Sequence, residues 1–230
     1  MVHEDQWATR GAHVCHFTES NNDVKSVVLP FIRQGLLNNE FCLYVTADES
    51  PDSWYFELQA YGVDVMAERQ SGALKIIDKS EWRRPNRSLR SLAQARKAFR
   101  LVPWNEFSGA RVIYDAAWAL NPELSPDELC HWEATATLLY EGLPVRVICQ
   151  YDLNRHSHKA IDSALRTHPL VLTGDALVAN PHCEAERILE FEPILNYSSA
   201  DAGEVAKMLS QISPLSRSPG LTKQAFLRGA

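Results

Sequence analysis

The sequence contains no long hydrophobic run: no segment approaches the roughly 20 apolar residues that a membrane-spanning helix requires. The first ten residues, MVHEDQWATR, lack the basic-then-apolar order of a signal peptide. Basic residues are outnumbered, since 23 Lys and Arg stand against 29 Asp and Glu and give a net charge of −6. This balance argues against broad nucleic-acid binding. We therefore predict a cytoplasmic protein without membrane contact and without direct nucleic-acid contact.

Cysteine is scarce and irregularly spaced. The chain has five cysteines, an odd number, and none of them form a C-x-x-C pair. Cys15, Cys42 and Cys149 lie within apolar, strand-like runs, which indicates reduced, buried thiols. The sequence also has no G-x-S-x-G elbow, so a Ser/His/Asp hydrolase has little support.

Apolar runs of strand length alternate with segments of helical periodicity from about residue 12 to residue 178. Strands are predicted at 12–17, 40–50, 73–78, 110–115 and 144–152, with two short strands within 170–178. Helices are predicted at 23–39, 50–64, 87–101, 125–142 and 157–169, whereas residues 180–197 read as irregular. The alternation predicts an α/β fold with a mainly parallel central sheet that helices cover on both faces.

Polar residues follow several of the predicted strands, at 16–22, 46–50, 115–118 and 150–156. In open α/β sheets, ligands bind at the carboxyl ends of the strands. We therefore expect these segments to converge on one site.

The stretch ESNNDVKSV, residues 19–27, raises a specific question about nucleotide binding. Lys25 and Ser26 stand where the Lys and Ser of a G-x-x-x-x-G-K-[ST] phosphate loop would be. Glu19 and Val24 replace the two glycines, and Glu19 and Asp23 would repel a triphosphate. We therefore predict no ATP binding in the usual mode.

The strand RVIYD ends in an acidic residue, Asp115. The strand that holds magnesium in P-loop enzymes also ends in an Asp. The alternative for Asp115, a carboxylate that caps a turn, is equally open at this stage.

Three segments resemble one known family: HVCHF, LPFIRQGLLNNEFCLYVTADES and VICQYDLNRHSHKAIDSALRTHPLVLTGD. They are similar to the MEDS family, the methanogen/methylotroph DcmR-type sensory domain. The segment YDAAWAL is similar to that family's acidic-x-x-Trp-Ala-Leu element, with Asp115 as the acid. The resemblance extends from about residue 11 to residue 182.

The resemblance implies a relative of the KaiC/RecA-like P-loop fold, in which ESNNDVKS is the remnant of a phosphate loop. It further implies a sensory module of bacterial and archaeal regulators, a type proposed to bind small molecules such as hydrocarbon derivatives. On this basis we divide the chain into an N-terminal arm (1–10), a sensory domain (11–197), a C-terminal helix (198–213) and a flexible tail (214–230).

The predicted ligand-binding residues are those nearest the expected strand ends: His16, Asn21, Lys25, Ser26, Asp115, Trp118, Cys149, Tyr151 and Asp152. For His16, Trp118 and Cys149, a place in the hydrogen-bonded or apolar core is the competing interpretation. We predict no catalytic residue, no cofactor and no metal. A zinc site is an alternative that we do not favour, and its candidate ligands would be His13, His16, His156, His158, His168 and Cys149. The H-x-x-H pair at 13 and 16 would lie on a strand, where residues three apart face opposite sides of the sheet.

The function that these observations favour is a non-catalytic sensory protein that binds a small-molecule effector or a partner. It would signal through protein–protein contacts with a regulator such as a kinase or transcription factor, and self-association is a further option. Two alternatives stay open: a KaiC/RecA-related nucleotide-binding protein with a divergent phosphate loop, and a pure partner-binding scaffold. The apolar stripe Val205, Met208, Leu209 and Ile212 either packs back on the domain or binds such a partner.

Overall fold

A seven-stranded sheet lies at the centre of the computed structural model, which describes residues 10–47, 49–79, 105–120, 124–173 and 176–191. The strands are β1 (Ala12–Thr18), β2 (Glu40–Thr46), β3 (Leu74–Asp78), β4 (Gly109–Asp115), β5 (Val145–Asp152), β6 (Leu170–Thr173) and β7 (Ala176–Ala179). The helices are α1 (Asn21–Leu37), α2 (Pro51–Ala60), α3 (Val65–Gln70), α4 (Pro126–Tyr140), α5 (His158–Thr167) and α6 (Ala185–Phe191). A 3-10 helix, Ala116–Leu120, follows β4 directly.

The strand order is β3-β2-β4-β5-β1-β6-β7. Every neighbouring pair is parallel except β6 and β7, which run antiparallel. The predicted mainly parallel sheet is therefore confirmed. The predicted proximity of β1 to β4 also holds, because only β5 separates them.

Two helical layers cover the sheet and create two cores. Helices α1, α2 and α3 pack on one face, where Val14 and Ile148 are buried. Helices α4 and α5 pack on the other face, where Cys15 and Cys149 are buried. Side chains of neighbouring strand residues point to opposite faces, so β1 and β5 contribute to both cores. We call these the α1 face and the α4 face.

Serine caps start four of the helices next to the carboxyl ends of strands or in the loops that follow them. The side chains of Ser20, Ser50, Ser125 and Ser157 each accept a hydrogen bond from a backbone N–H in the first helical turn. Helix α1 continues through Pro30, a residue that removes one backbone donor from a helix interior.

A buried ion pair joins three strands at the end of the sheet where the strands begin. Arg111 of β4 is 1% exposed, and its Nε donates to Oε2 of Glu40 on β2 at 2.6 Å. Arg146 of β5 donates to the other oxygen of the Glu40 carboxylate. Because buried charges need partners, the two bonds to the Glu40 carboxylate favour one alignment of β2, β4 and β5.

The structure differs from the sequence prediction at two short helices. Helix α3 was not predicted, and α6 occupies part of a segment predicted to be irregular. Both are too short for a helical period to stand out in the sequence; α6 is held by Ala185 and Ile188, which pack on Cys130 and Ala134 of α4. The helix predicted at 87–101, the arm at 1–9, the helix at 198–213 and the tail at 214–230 lie outside the described residues. Within the described part of the chain, no helix is long and apolar enough to cross a bilayer.

Candidate functional site

A cleft opens at the carboxyl ends of β1, β2, β4 and β5 and has a volume of about 260 Å³. Its lining is mostly polar. Four carboxylates border it, from Glu19, Glu49, Asp115 and Asp152, together with the guanidinium of Arg155. This is the edge of the sheet at which the sequence predicted a ligand site.

The start of α1 forms one wall of the cleft, and a capping box fixes its geometry. The carboxylate of Asp23 accepts hydrogen bonds from the backbone N–H groups of Glu19 and Ser20, at 3.0 and 2.9 Å. The Ser20 hydroxyl in turn accepts from the backbone N–H of Asp23 at 3.3 Å. The backbone bond from Glu19 is the main cause that lowers the pKa of Asp23. In a phosphate loop, such N–H groups would donate to a phosphate. Here they donate to the side-chain carboxylate of Asp23.

Lys25 and Ser26, the two residues that match the phosphate-loop motif, do not line the cleft. The ammonium of Lys25 lies 2.8 Å from Oε1 of Glu57 on α2, and this hydrogen bond raises the pKa of Lys25. The Ser26 hydroxyl donates to the backbone carbonyl of Asp23 at 2.7 Å. Both side chains therefore bond to the protein's own helices.

A row of three paired residues crosses the base of the cleft. Gln150 on β5 pairs with His16 on β1 and with Asp115 on β4. His16 and Asp115 are thus about 10 Å apart, which is two strand spacings. Gln150 and Asp115 line the cleft, whereas His16 does not; its Nδ1 lies 3.3 Å from Nε2 of Gln150. Burial lowers the pKa of His16 to about 4, so the ring is neutral at pH 7.

Hydrogen bonds join the loops on opposite sides of the cleft. Asn21 at the start of α1 donates to Oε1 of Glu49 at 2.8 Å. Asn154, after β5, donates to the backbone carbonyl of Glu19 at 3.0 Å. Nε2 of His156 lies 3.1 Å from the carbonyl oxygen of Ala116. These contacts fix the walls of the cleft relative to one another.

Two buried polar atoms beside the cleft have no hydrogen-bond partner among the described residues. They are Oε1 of Gln150 and Nε1 of Trp54, and both residues line the cleft. A buried polar group without a partner costs about 1–3 kcal/mol. A ligand that reached these atoms would recover part of that cost.

Cys149 and Tyr151 were predicted at the cleft, but the structure places them on the α4 face, away from it. The reason is the alternation along β5: Gln150 and Asp152 face the cleft, so the residues between and before them face the other way. The Tyr151 hydroxyl donates to Oε1 of Glu133 on α4 at 2.6 Å. Of the remaining predicted residues, Trp118 lies in the 3-10 helix after β4, and its side chain is outside the described part of the structure.

A second polar group lies within the α4 face, and we call it the buried cluster. It consists of His13, Glu133, Cys149 and His168, all inaccessible to solvent or nearly so. One nitrogen, oxygen or sulfur atom from each residue lies within 4.8 Å of those of the other three. Burial raises the pKa of Glu133 to about 8 and lowers the pKa of His168 to about 4.

The sequence prediction missed Glu133 of the buried cluster and Gln150, Glu49 and Trp54 of the cleft as individual residues. Glu133 carried a detectable signal, because it is a lone acid among the buried positions of α4, such as Trp132 and Ala134. Gln150 was detectable from the period of two in β5, which assigns it to the same side as Asp152.

The strand order and the helices on both faces of the sheet define a mainly parallel α/β fold. A solved KaiC-like protein from the hyperthermophilic archaeon Pyrococcus horikoshii OT3 is 17% identical, with a TM-score of 0.51, and 70% of each chain is covered. The flagellar accessory protein FlaH from Methanocaldococcus jannaschii is also 17% identical, with a TM-score of 0.49 and coverage of 74% of this chain and 76% of that one. At 17% identity, the likeness to the KaiC-like protein establishes the fold alone.

The family model for MEDS, the MEthanogen/methylotroph, DcmR Sensory domain, matches residues 12–169. The chain therefore belongs to the MEDS family, and the resemblance predicted from the sequence is confirmed. No curated protein matches the chain.

Proposed function

We propose that this chain is a sensory module that binds a small polar effector in the cleft and passes the signal on by protein–protein contact. The observation that carries the proposal is the cleft itself. It lies at the ligand-binding edge of the sheet in a member of a sensory-domain family, and residues from four strand ends converge on it.

The chemistry of the lining favours an effector with hydrogen-bond donors or positive charge. Among the described residues, four carboxylates and one guanidinium border the cleft, so their field attracts cations and repels anions. The volume of about 260 Å³ lies just below the range of about 300–1,000 Å³ typical of drug-sized ligands. A short amine matches both the size and the charge, and a polyhydroxy compound matches the size and supplies hydrogen-bond donors.

The same features argue against nucleotide binding as the main activity. The N–H groups at the start of α1 already bond to Asp23, and Lys25 bonds to Glu57. A triphosphate would have to displace both contacts and approach Glu19 as well. We therefore expect no ATP hydrolysis, and we assign no catalytic role to the cleft.

Thermal unfolding with small ligands tests the proposal. A panel of short amines, polyhydroxy compounds and magnesium-ATP is added to the wild-type chain and to Asp115→Asn and Glu49→Gln variants. An effector at 100 times its Kd stabilises the wild type by about 2.7 kcal/mol. Because the two variants remove charge from the cleft wall, they should lose most of this effect.

Lys25→Ala is the matched control, since Lys25 lies on α1 but outside the cleft lining. It should respond to the effector like the wild type. If magnesium-ATP alone stabilised the chain, and Lys25→Ala removed that response, the nucleotide-binding alternative would replace the sensory proposal.

A further inference from the structure

We propose that the buried cluster is a zinc site, in which His13, Glu133, Cys149 and His168 supply four protein ligands to one Zn²⁺ ion. The four residues come from β1, α4, β5 and the residue that follows α5. Two imidazole nitrogens, a thiolate and a carboxylate oxygen are all established zinc ligands. A bound ion would therefore connect two central strands to the helical layer on the α4 face.

The distances from Oε2 of Glu133 fit a common ion better than they fit direct hydrogen bonds, whereas the distance between Cys149 and His13 fits either an ion or an S–H···N hydrogen bond. Oε2 of Glu133 lies 3.5 Å from Nε2 of His13 and 3.6 Å from Nε2 of His168. Sγ of Cys149 lies 3.4 Å from Nε2 of His13. Ligand atoms about 2.0–2.3 Å from a tetrahedral ion are separated by about 3.3–3.7 Å. An O–H···N or N–H···O bond would bring the oxygen and nitrogen to about 2.7–3.2 Å.

The hydrogen bonds around the cluster orient the lone pair of His13 toward the same point. The Thr137 hydroxyl donates to the carbonyl of Thr167 at 2.6 Å, so toward His13 it acts as an acceptor. Nδ1 of His13, 2.7 Å from that hydroxyl, must then carry the proton. Nε2 of His13 is left with its lone pair facing the cluster.

The same reasoning applies to His168. Its Nδ1 lies 2.8 Å from the carbonyl oxygen of Ala164, which only accepts. Nδ1 therefore carries the proton, and Nε2 presents a lone pair. Hydrogen bonds of this kind, from the second ring nitrogen to a carbonyl or a hydroxyl, are the usual support of metal-binding histidines.

Two unpartnered atoms provide an independent observation. Oε2 of Glu133 and Nε2 of His168 are buried and have no hydrogen-bond partner among the described residues. Oε1 of Glu133 is already bonded to Tyr151, so only Oε2 faces the cluster. Once Glu133 has lost its proton, both unpartnered atoms are acceptors, and a cation between them would satisfy both.

Charge balance favours a divalent ion. A thiolate and a carboxylate together carry two negative charges, and two neutral imidazoles add none, so Zn²⁺ leaves the buried site with no net charge. Binding releases the protons of Cys149 and Glu133 to solvent. Because four protein ligands complete a tetrahedron and solvent is excluded, the site is of the closed, structural type.

Metal analysis of the full chain, purified without a histidine tag and without chelators, tests the proposal. We expect about one zinc ion per chain, and we expect Co²⁺ exchanged into the site to give the absorption of a tetrahedral ion with a thiolate ligand. Cys149→Ser and His168→Gln should each lower the bound metal more than tenfold at equal free zinc. His16→Gln, on the opposite face of β1, and Cys42→Ser, another buried strand cysteine, are the matched controls and should keep it.

A second variant guards against loss of folding in the ligand variants. Thr137→Val removes only the hydroxyl that orients His13, and zinc affinity should fall about 10–100-fold while the circular dichroism spectrum is kept. The proposal is wrong if the folded wild type binds no stoichiometric zinc or cobalt even after metal addition. It is also wrong if Cys149→Ser and His168→Gln carry as much zinc as the controls.

Discussion

Asp23 illustrates how a single side chain changes what the start of a helix binds. In a phosphate loop, backbone N–H groups before the helix bind the phosphate. Here the N–H groups of Glu19 and Ser20 donate to the Asp23 carboxylate instead. Lys25 and Ser26 therefore match the phosphate-loop motif in sequence position only, because their side chains bond to Glu57 and to the backbone of Asp23 and not to a ligand site. This loss of phosphate binding was predictable from the sequence, because Glu19 and Val24 replace the two glycines and Glu19 and Asp23 add negative charge.

We predict that the support of α1 by Asp23 depends on pH. The folded-state pKa of Asp23 is lowered, so its contribution to stability is fully present above the ordinary Asp range, near 3.9, and is lost as the pH falls through the folded pKa. Asp23→Asn should lower the free energy of unfolding by about 0.5 kcal/mol at pH 7. Urea unfolding across pH measures the difference, which should shrink toward acid; a difference that grew toward acid would contradict the assignment.

At the scale of the element, β5 explains most of the gap between the predicted and observed sites. The sequence prediction recognised the strand and its end, and it selected Cys149, Tyr151 and Asp152 for one cleft. Alternation along the strand separates them: Gln150 and Asp152 face the cleft. On the other side of β5, Cys149 belongs to the buried cluster and Tyr151 bonds to its member Glu133. The partner on α4, Glu133, is distant in sequence, and its contact with Tyr151 depends on how the helix packs on the sheet, which no local pattern records.

We predict that Tyr151 acts on stability and not on effector binding. Tyr151→Phe removes the hydroxyl that donates to Glu133 and should lower the free energy of unfolding by about 1–2 kcal/mol. The thermal shift caused by an effector should be kept, whereas Gln150→Ala, one residue earlier on the cleft side, should reduce it. Urea unfolding measures the change in stability, and calorimetric titration with the effector measures the change in binding. A Tyr151→Phe chain of normal stability that no longer responds to the effector would place Tyr151 in the ligand site after all.

At the scale of the whole molecule, the alternation of strands and helices was sufficient to predict the parallel sheet and the proximity of β1 to β4. The exact strand order was not predictable in this way, because it depends on which crossovers pack best over the sheet and not on any single segment. Strand β5 has a special place in that order. It lies between β1 and β4, and its alternate residues face the cleft and the buried cluster, so both sites share one strand.

The last prediction concerns how the signal leaves the domain. The apolar stripe of Val205, Met208, Leu209 and Ile212 lies outside the described residues and stays a sequence prediction of a helix that binds a partner or a second copy. If so, deleting residues 199–230 should abolish self-association or partner binding and leave the melting temperature of the remaining domain unchanged. Sedimentation and thermal unfolding of the full and shortened chains measure the two quantities. A full-length chain with Met208→Glu and Ile212→Glu is a second test of the same surface. It should also lose association, because two charges interrupt the apolar stripe. A shortened chain that aggregates or melts at a lower temperature would instead assign the helix to the core of the domain, where burial of its stripe would stabilise the fold.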